Sequence, residues 1–187
     1  MNKMNTRKKQ HQFSPRVLLS AYQCAAGMGS VSQIGWEWYS RLSAKIPVTL
    51  ITHIRNREIL EKDTAPLNDS EIIFIDTEWF AAPLWKIANK LFPRSEHAVF
   101  LLSQLDFFIY DWHAKSKVKC QIKNGKNWDI IHAVTPVSPS APTSLHKTGL
   151  PLIVGPLNGG LESPKNFPEL MKADSAWLYP IKKIGRI

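Results

Sequence analysis

Arg16-Val-Leu-Leu-Ser-Ala-Tyr-Gln-Cys-Ala-Ala-Gly-Met-Gly-Ser-Val-Ser-Gln-Ile-Gly-Trp-Glu-Trp-Tyr39 is the stretch whose reading decides the fold. Val17 to Tyr22 reads as a short buried strand, Gly27 and Gly29 as a small-residue turn, and the residues after Gly29 as a helix. Ser30 or Ser32 is placed to cap that helix by accepting N–H bonds that its first turn leaves free. Ile34, Trp38 and Leu42, with Trp36 beside them, recur at helical spacing as its core face. A strand, a glycine turn and a helix N-terminus together present amide donors and a positive dipole end to an anion. The loop Gly27-Met28-Gly29-Ser30 is therefore a candidate ligand-facing loop. The bland alternative is a tight turn that needs positive φ.

Further along the chain the same alternation repeats. Val48-Thr-Leu-Ile-Thr52 and Glu71-Ile-Ile-Phe-Ile-Asp76 read as the second and third strands, with a short polar helix over Arg55 to Lys62 and a loop from Ala65 between them. Helical segments follow from Trp79 to Leu91 and from Glu96 to Lys123, separated at Pro93. Asp129-Ile-Ile-His-Ala133 is a fourth strand, a short helix is expected near Ala141 to Lys147, and Leu152-Ile-Val-Gly155 is a fifth strand. Strands alternating with helices imply right-handed crossovers, and so an α/β class: a Rossmann-like, doubly wound parallel sheet in a single domain. In such sheets ligands bind beyond the carboxyl ends of the strands, where the strand order reverses. An order of 3-2-1-4-5 puts that point between the first and fourth strands. The turn at Gly27 and Gly29 then meets the turns after His132-Ala-Val-Thr-Pro136 and at Gly155-Pro-Leu-Asn-Gly-Gly160.

Composition bounds the rest. The 187 residues suffice for one domain with a real core, and hydrophobic residues make up 44%, an ordinary share for a globular chain. The net charge of +9 is carried by the ends. Lys3, Arg7, Lys8, Lys9, Arg16, Lys182, Lys183 and Arg186 removed, the body is nearly neutral, so nucleic acid is not an expected partner. Residues 1–15 read as a disordered basic tail and 16–187 as the domain. No signal-type apolar run follows the tail, and Ala98 to Trp112 is too interrupted by Ser103, Gln104, Asp106 and Asp111 to span a bilayer, which takes about 20 apolar residues. Cys24 and Cys120 form no CxxC pair and the six histidines show no ligand spacing, so neither a zinc site nor a disulfide framework is expected. A reducing, cytoplasmic compartment fits. Neither nucleotide fingerprint is complete. Ser32 stands where G-x-G-x-x-G needs glycine, the second strand ends in Thr52-His53-Ile54 with no acid for a ribose, and no G-K-[ST] follows the glycines.

Three motifs together resemble a known family. Ala21-Tyr-Gln-Cys-Ala-Ala-Gly-Met-Gly-Ser30 with the Trp36-Glu-Trp38 helix is similar to the opening of a bacterial family 4 glycosyltransferase, as are Trp128-Asp-Ile-Ile-His-Ala-Val-Thr-Pro136 and Gly155-Pro-Leu-Asn-Gly-Gly160. The resemblance runs from about Arg16 to Glu169 and implies the N-terminal, acceptor-side half of a GT-B enzyme, two Rossmann-like domains facing across a cleft. Such enzymes move a sugar from a nucleotide diphosphate-sugar, a co-substrate and not a resident cofactor, to an acceptor with retention.

Carried over by position, Gly27, Met28, Gly29 and Ser30 would approach the donor diphosphate and the acceptor, where amides can stabilise charge on the departing phosphate. His132, expected at the carboxyl end of the fourth strand, would orient the transferred sugar or position main chain. Thr135, Asn158, Gly159, Gly160 and Glu162 would line the acceptor side. The acidic pair of the family's donor half is absent, since Glu71 and Glu78 lie one residue too close and in the wrong half. The chain is thus expected to need a donor-domain polypeptide or a C-terminal half, and to transfer no sugar alone. A non-catalytic sugar-binding or partner subunit, or an unrelated enzyme on the same fold, remains an alternative.

Two surfaces bear on partners. The aromatic and basic segment from Trp79 to Phe92 reads as an interfacial helix for a membrane-borne, lipid-linked acceptor, or else as core packing. The five lysines between Lys115 and Lys126 read as a solvated helix face, or as an attraction for an anionic acceptor or membrane.

Overall fold

A computed structural model describes residues 14–63, 70–91, 105–139 and 141–158. Five strands form one all-parallel sheet: β1 (Val17–Ala21), β2 (Val48–His53), β3 (Glu71–Ile75), β4 (Ile130–Thr135) and β5 (Leu152–Val154). Their order is β3-β2-β1-β4-β5, so the sequence direction reverses between β1 and β4. Among the described residues the helices are α1 (Ser30–Ser43), α2 (Arg57–Asp63), α3 (Glu78–Leu91) and α4 (Leu105–Lys123), with 3-10 turns at Ile54–Asn56 and Ser144–Thr148. The short helix expected near Ala141 to Lys147 is thus a 3-10 turn. The loop at Ala65 and the break at Pro93 lie outside the described residues.

β1 and β2 are buried at every position, which only a strand covered on both faces can be. Alternation sorts their side chains into two cores. On one face Leu18, Ile51, Ile73 and Ile131 meet Phe107, Tyr110, Ala114 and Val118, which recur at intervals of three and four along α4. On the other, Val17, Leu19, Leu50 and Val134 meet Tyr39 of α1 and Leu60 of α2. In the first core two polar tips are satisfied from the sheet, for Trp128 Nε1 donates to Thr49 Oγ1 at 2.9 Å and Tyr110 Oη to the Ile51 carbonyl at 3.0 Å. In the second, the buried Tyr39 hydroxyl has no hydrogen-bond partner among the described residues.

Two expectations for α1 are corrected. Its N-cap is Gly29, at φ 90°, with no side-chain cap; Ser30 is the first helical residue and Ser32 lies inside the helix. The buried face is Gly35, Tyr39 and Ser43, one residue round from the expected stripe. Ile34, Trp36 and Leu42 flank it half-buried, and Trp38 is 39% exposed. The shift has a local cause. A Cβ on Gly35 would stand 2.2 Å from the Gln23 carbonyl, so a bare glycine lets α1 lie directly against the loop after β1.

Candidate functional site

The loops beyond β1, β4 and β5 are hydrogen-bonded to one another at the carboxyl edge of the sheet. A bulge begins the contact: Ser20 pairs with Ala133 but Ala21 pairs with Thr135, so Val134 is skipped and Thr135 is re-aimed. Its hydroxyl accepts from the Gln23 amide and donates to the Gln23 carbonyl, both at 3.0 Å, while the Tyr22 amide donates to the Thr135 carbonyl. Thr135 is thereby buried and engaged on both sides. From the other flank the Gly155 amide donates to the Ala133 carbonyl and the Asn158 amide to that of Val137. Cis peptides precede Pro136 and Pro156 in these two turns.

His132 is placed differently from expectation. It is the third of six residues in β4, opposite Leu19 and Ile153, not at the strand's carboxyl end. Its ring lies edge-on to Trp38 at 4.6 Å, and Nε2 is 2.9 Å from the Gly155 carbonyl. A carbonyl only accepts, so Nε2 carries the proton and Nδ1 is the bare nitrogen. Burial lowers the pKa of this imidazole and so favours the neutral ring, opposed in part by the Gly155 bond.

In the glycine loop Gly27 and Gly29 have φ of 72° and 90°, and a Cβ at either would meet nothing within 4 Å. Backbone conformation, not crowding, calls for glycine there. The Gly27 amide donates to Gln33 Oε1 at 2.9 Å, Gln33 Nε2 donates to Glu37, and Glu37 pairs with Arg41. A side chain of α1 thus occupies an amide that an anion would use. Met28, Ser30 and Asn158 are exposed. Gly159, Gly160 and Glu162 lie outside the described residues.

A second constellation lies at the same edge, beyond β1, β2 and β3. The Asp106 carboxylate, 1% exposed near the start of α4, accepts from Tyr22 Oη and from Thr77 Oγ1, each at 2.6 Å. Arg55 Nη1 stands 3.6 Å from it. Thr77 accepts in turn from His53 Nε2 at 2.8 Å, because its own hydrogen is given to Asp106. His53 Nδ1 accepts from the Arg55 backbone amide at 3.2 Å. Arg55 Nε bonds Glu78, the first residue of α3. Nearby, Asn56 Nδ2 donates to the Tyr22 carbonyl and to Thr52 Oγ1. Burial, then the Asp106 carboxylate, raises the Tyr22 phenol well above its ordinary range.

Sequence reasoning found none of Tyr22, His53, Thr77, Asp106 or Gln33 as site residues. A signal was present for three of them. His53 closes β2 and Thr77 follows β3 by two residues, the positions that open onto the edge where ligands bind. An acid inside the apolar run from Ala98 to Trp112 was the signal for Asp106.

Among the described residues no group of three or more His, Cys, Asp or Glu is placed to hold a metal ion. Among them, too, no helix is long and apolar enough to cross a membrane. No family model, curated protein or solved structure matches the chain.

Proposed function

We propose that this chain is the acceptor-side half of a retaining GT-B glycosyltransferase of the family 4 type. The observation that carries the reading is the hydrogen-bonded convergence of the loops after β1, β4 and β5 where the strand order reverses. That is where a doubly wound sheet offers backbone to a ligand, and the resembling motifs occupy these loops. In this reading the nucleotide is held mainly by a second Rossmann-like domain facing the edge. The amides of the Gly27–Gly29 loop stabilise the charge that develops on the departing diphosphate, a phosphate oxygen taking the place of Gln33 Oε1 at Gly27. His132 is a positioning residue, holding the Gly155 turn against β4.

Amide chemical shifts of the labelled protein test this, recorded with nucleotide diphosphate-sugars and with saccharide acceptors, beside a transfer assay with and without protein that copurifies from source cells. Saccharides should perturb Gly27, Gly29, Val137 and Asn158, and transfer should require the second domain. Tight donor binding with measurable transfer by the 187-residue chain alone overturns the half-enzyme reading. Silence of all four amides toward every saccharide removes the carbohydrate reading.

We also propose that the acceptor is membrane-borne. Trp79, 64% exposed on α3, and Trp112, 56% exposed on α4, are bridged by the ring of His113. Phe108 is exposed one turn from Trp112, and Lys115 and Lys119 follow on the same helix. Exposed indoles beside lysines suit an anionic lipid interface. Cosedimentation with vesicles containing anionic lipid should fall on Trp112→Ala and with added salt. Equal sedimentation with neutral vesicles would point instead to non-specific adhesion.

A further inference from the structure

His53 is buried to 1% exposure, yet both of its ring nitrogens are assigned by their partners. Nε2 carries a hydrogen, which goes to Thr77 and is relayed through the Thr77 hydroxyl to Asp106. Nδ1 must be bare, because the Arg55 amide donates to it. A second proton on this ring would therefore face an N–H and break the cap that starts the 3-10 turn Ile54–Asn56. The acceptor that could receive it is already in place, for Glu78 Oε1 lies 4.0 Å from Nδ1. That same oxygen is held by Arg55 Nε.

We propose that His53 is a proton-operated latch that trades the Glu78 carboxylate between the Arg55 guanidinium and its own Nδ1. With the ring neutral, Glu78 pairs with Arg55 and the Arg55 amide caps on Nδ1. With the ring protonated, Nδ1–H takes Glu78, the Arg55 amide loses its acceptor, and the guanidinium keeps only Asp106. The groups that face the ring decide where the exchange falls. Arg55 opposes a second positive charge, as does burial, the larger effect; Asp106, Glu78 and Asp76 favour it. Tyr22 and Tyr110 pack on the ring as neutral phenols. Burial and Arg55 prevail, so the exchange lies below the ordinary histidine value of 6.5. What moves is local: the start of α2 after β2 and the first turn of α3 after β3, where Glu78 and Thr77 stand. Both border the carboxyl edge, so acid would loosen one rim of the crevice while leaving the sheet intact.

Nitrogen-detected NMR of the imidazole, with amide exchange of the same sample, tests this. At pH 7.5 the ring should be the neutral Nε2–H tautomer. On acidification through the His53 titration the protection factor of the Arg55 amide should fall about tenfold per pH unit and stay far below those of Leu19 and Leu50, which open only with the whole fold. His53→Asn retains an oxygen that can accept from the Arg55 amide as an Asx turn but cannot titrate; its Arg55 protection should be flat with pH. Glu78→Gln, at a half-exposed position outside the core, removes the carboxylate that receives the proton and should move the His53 midpoint to lower pH. An Nδ1–H tautomer at pH 7.5, Arg55 protection that ignores the His53 titration, or an unmoved midpoint in Glu78→Gln would each overturn the latch.

Discussion

His132 donates from Nε2 to the Gly155 carbonyl across 2.9 Å, tying the middle of β4 to the turn that leaves β5. A short edge strand of three residues has few ladder bonds of its own, so one side-chain bond of this kind weighs heavily on where its turn sits.

His132→Ala should therefore cost about 1–2 kcal/mol in stability, the size of a hydrogen bond lost from a partly buried acceptor. His132→Gln, which retains a donor, should recover part of that. On the proposed transferase reading, the alanine variant of the assembled enzyme should lose more in kcat than its stability loss explains, because a displaced Gly155 turn would misorient the acceptor. Denaturant melts beside steady-state kinetics decide it. Normal turnover by the folded fraction would make His132 purely structural.

Acid should destabilise the fold through two histidines. Burial lowers the pKa of both His53 and His132 below 6.5, so between their folded values and about 6.5 the unfolded chain binds protons that the folded chain does not. The stability this represents is whole above pH 6.5 and is lost as pH falls through the folded values. Each histidine contributes a slope of at most about 1.4 kcal/mol per pH unit. Urea midpoints from pH 8 to pH 5 measure it, and a flat profile would contradict the burial of both rings.

Gly35 and Gly29 should respond differently to alanine. At Gly29 the new Cβ meets open space, and only the backbone conformation resists, for φ 90° with ψ 171° is a combination that L side chains rarely adopt, a penalty of about 1–3 kcal/mol. At Gly35 the Cβ would collide with the Gln23 carbonyl, a backbone atom that yields only if α1 or the loop shifts. Overpacking of that kind typically costs about 1–3 kcal/mol and can exceed it. Thermal melts should rank Gly35→Ala below Gly29→Ala. The reverse order would mean that α1 does not lie against the loop.

Asp106→Ala should be among the most damaging single changes in the chain. It strands the Tyr22 and Thr77 hydroxyls and leaves Arg55 with Glu78 alone. Breaking a buried charged cluster costs about 3–5 kcal/mol. Tyr22→Phe removes one donor and leaves the carboxylate its bond from Thr77, so a loss nearer 1–2 kcal/mol is expected. Equal losses in the two variants would show that the carboxylate is not the centre of the cluster.

The sequence by itself determined the architecture. Its strands are runs rich in β-branched residues and leucine, set apart by helical segments, and parallel strands joined that way take right-handed crossovers. Those local rules lead to a doubly wound sheet, observed in the order β3-β2-β1-β4-β5. The glycine turn was equally legible, because positive φ is a property of a single residue. Tertiary structure decided everything that depends on which distant groups meet. Tyr22 and Asp106 are 84 residues apart, and His53 and Thr77 are 24 apart; nothing local to either pair announces the partner. The same holds for Trp38, which periodicity alone assigns to the core. Gly35 rotates the packed face of α1 by admitting the Gln23 carbonyl, and that turns the Trp38 indole out over His132. Strand propensity and handedness act within a few residues, whereas the position of a buried hydrogen bond is set by register, helix rotation and the desolvation cost of every alternative.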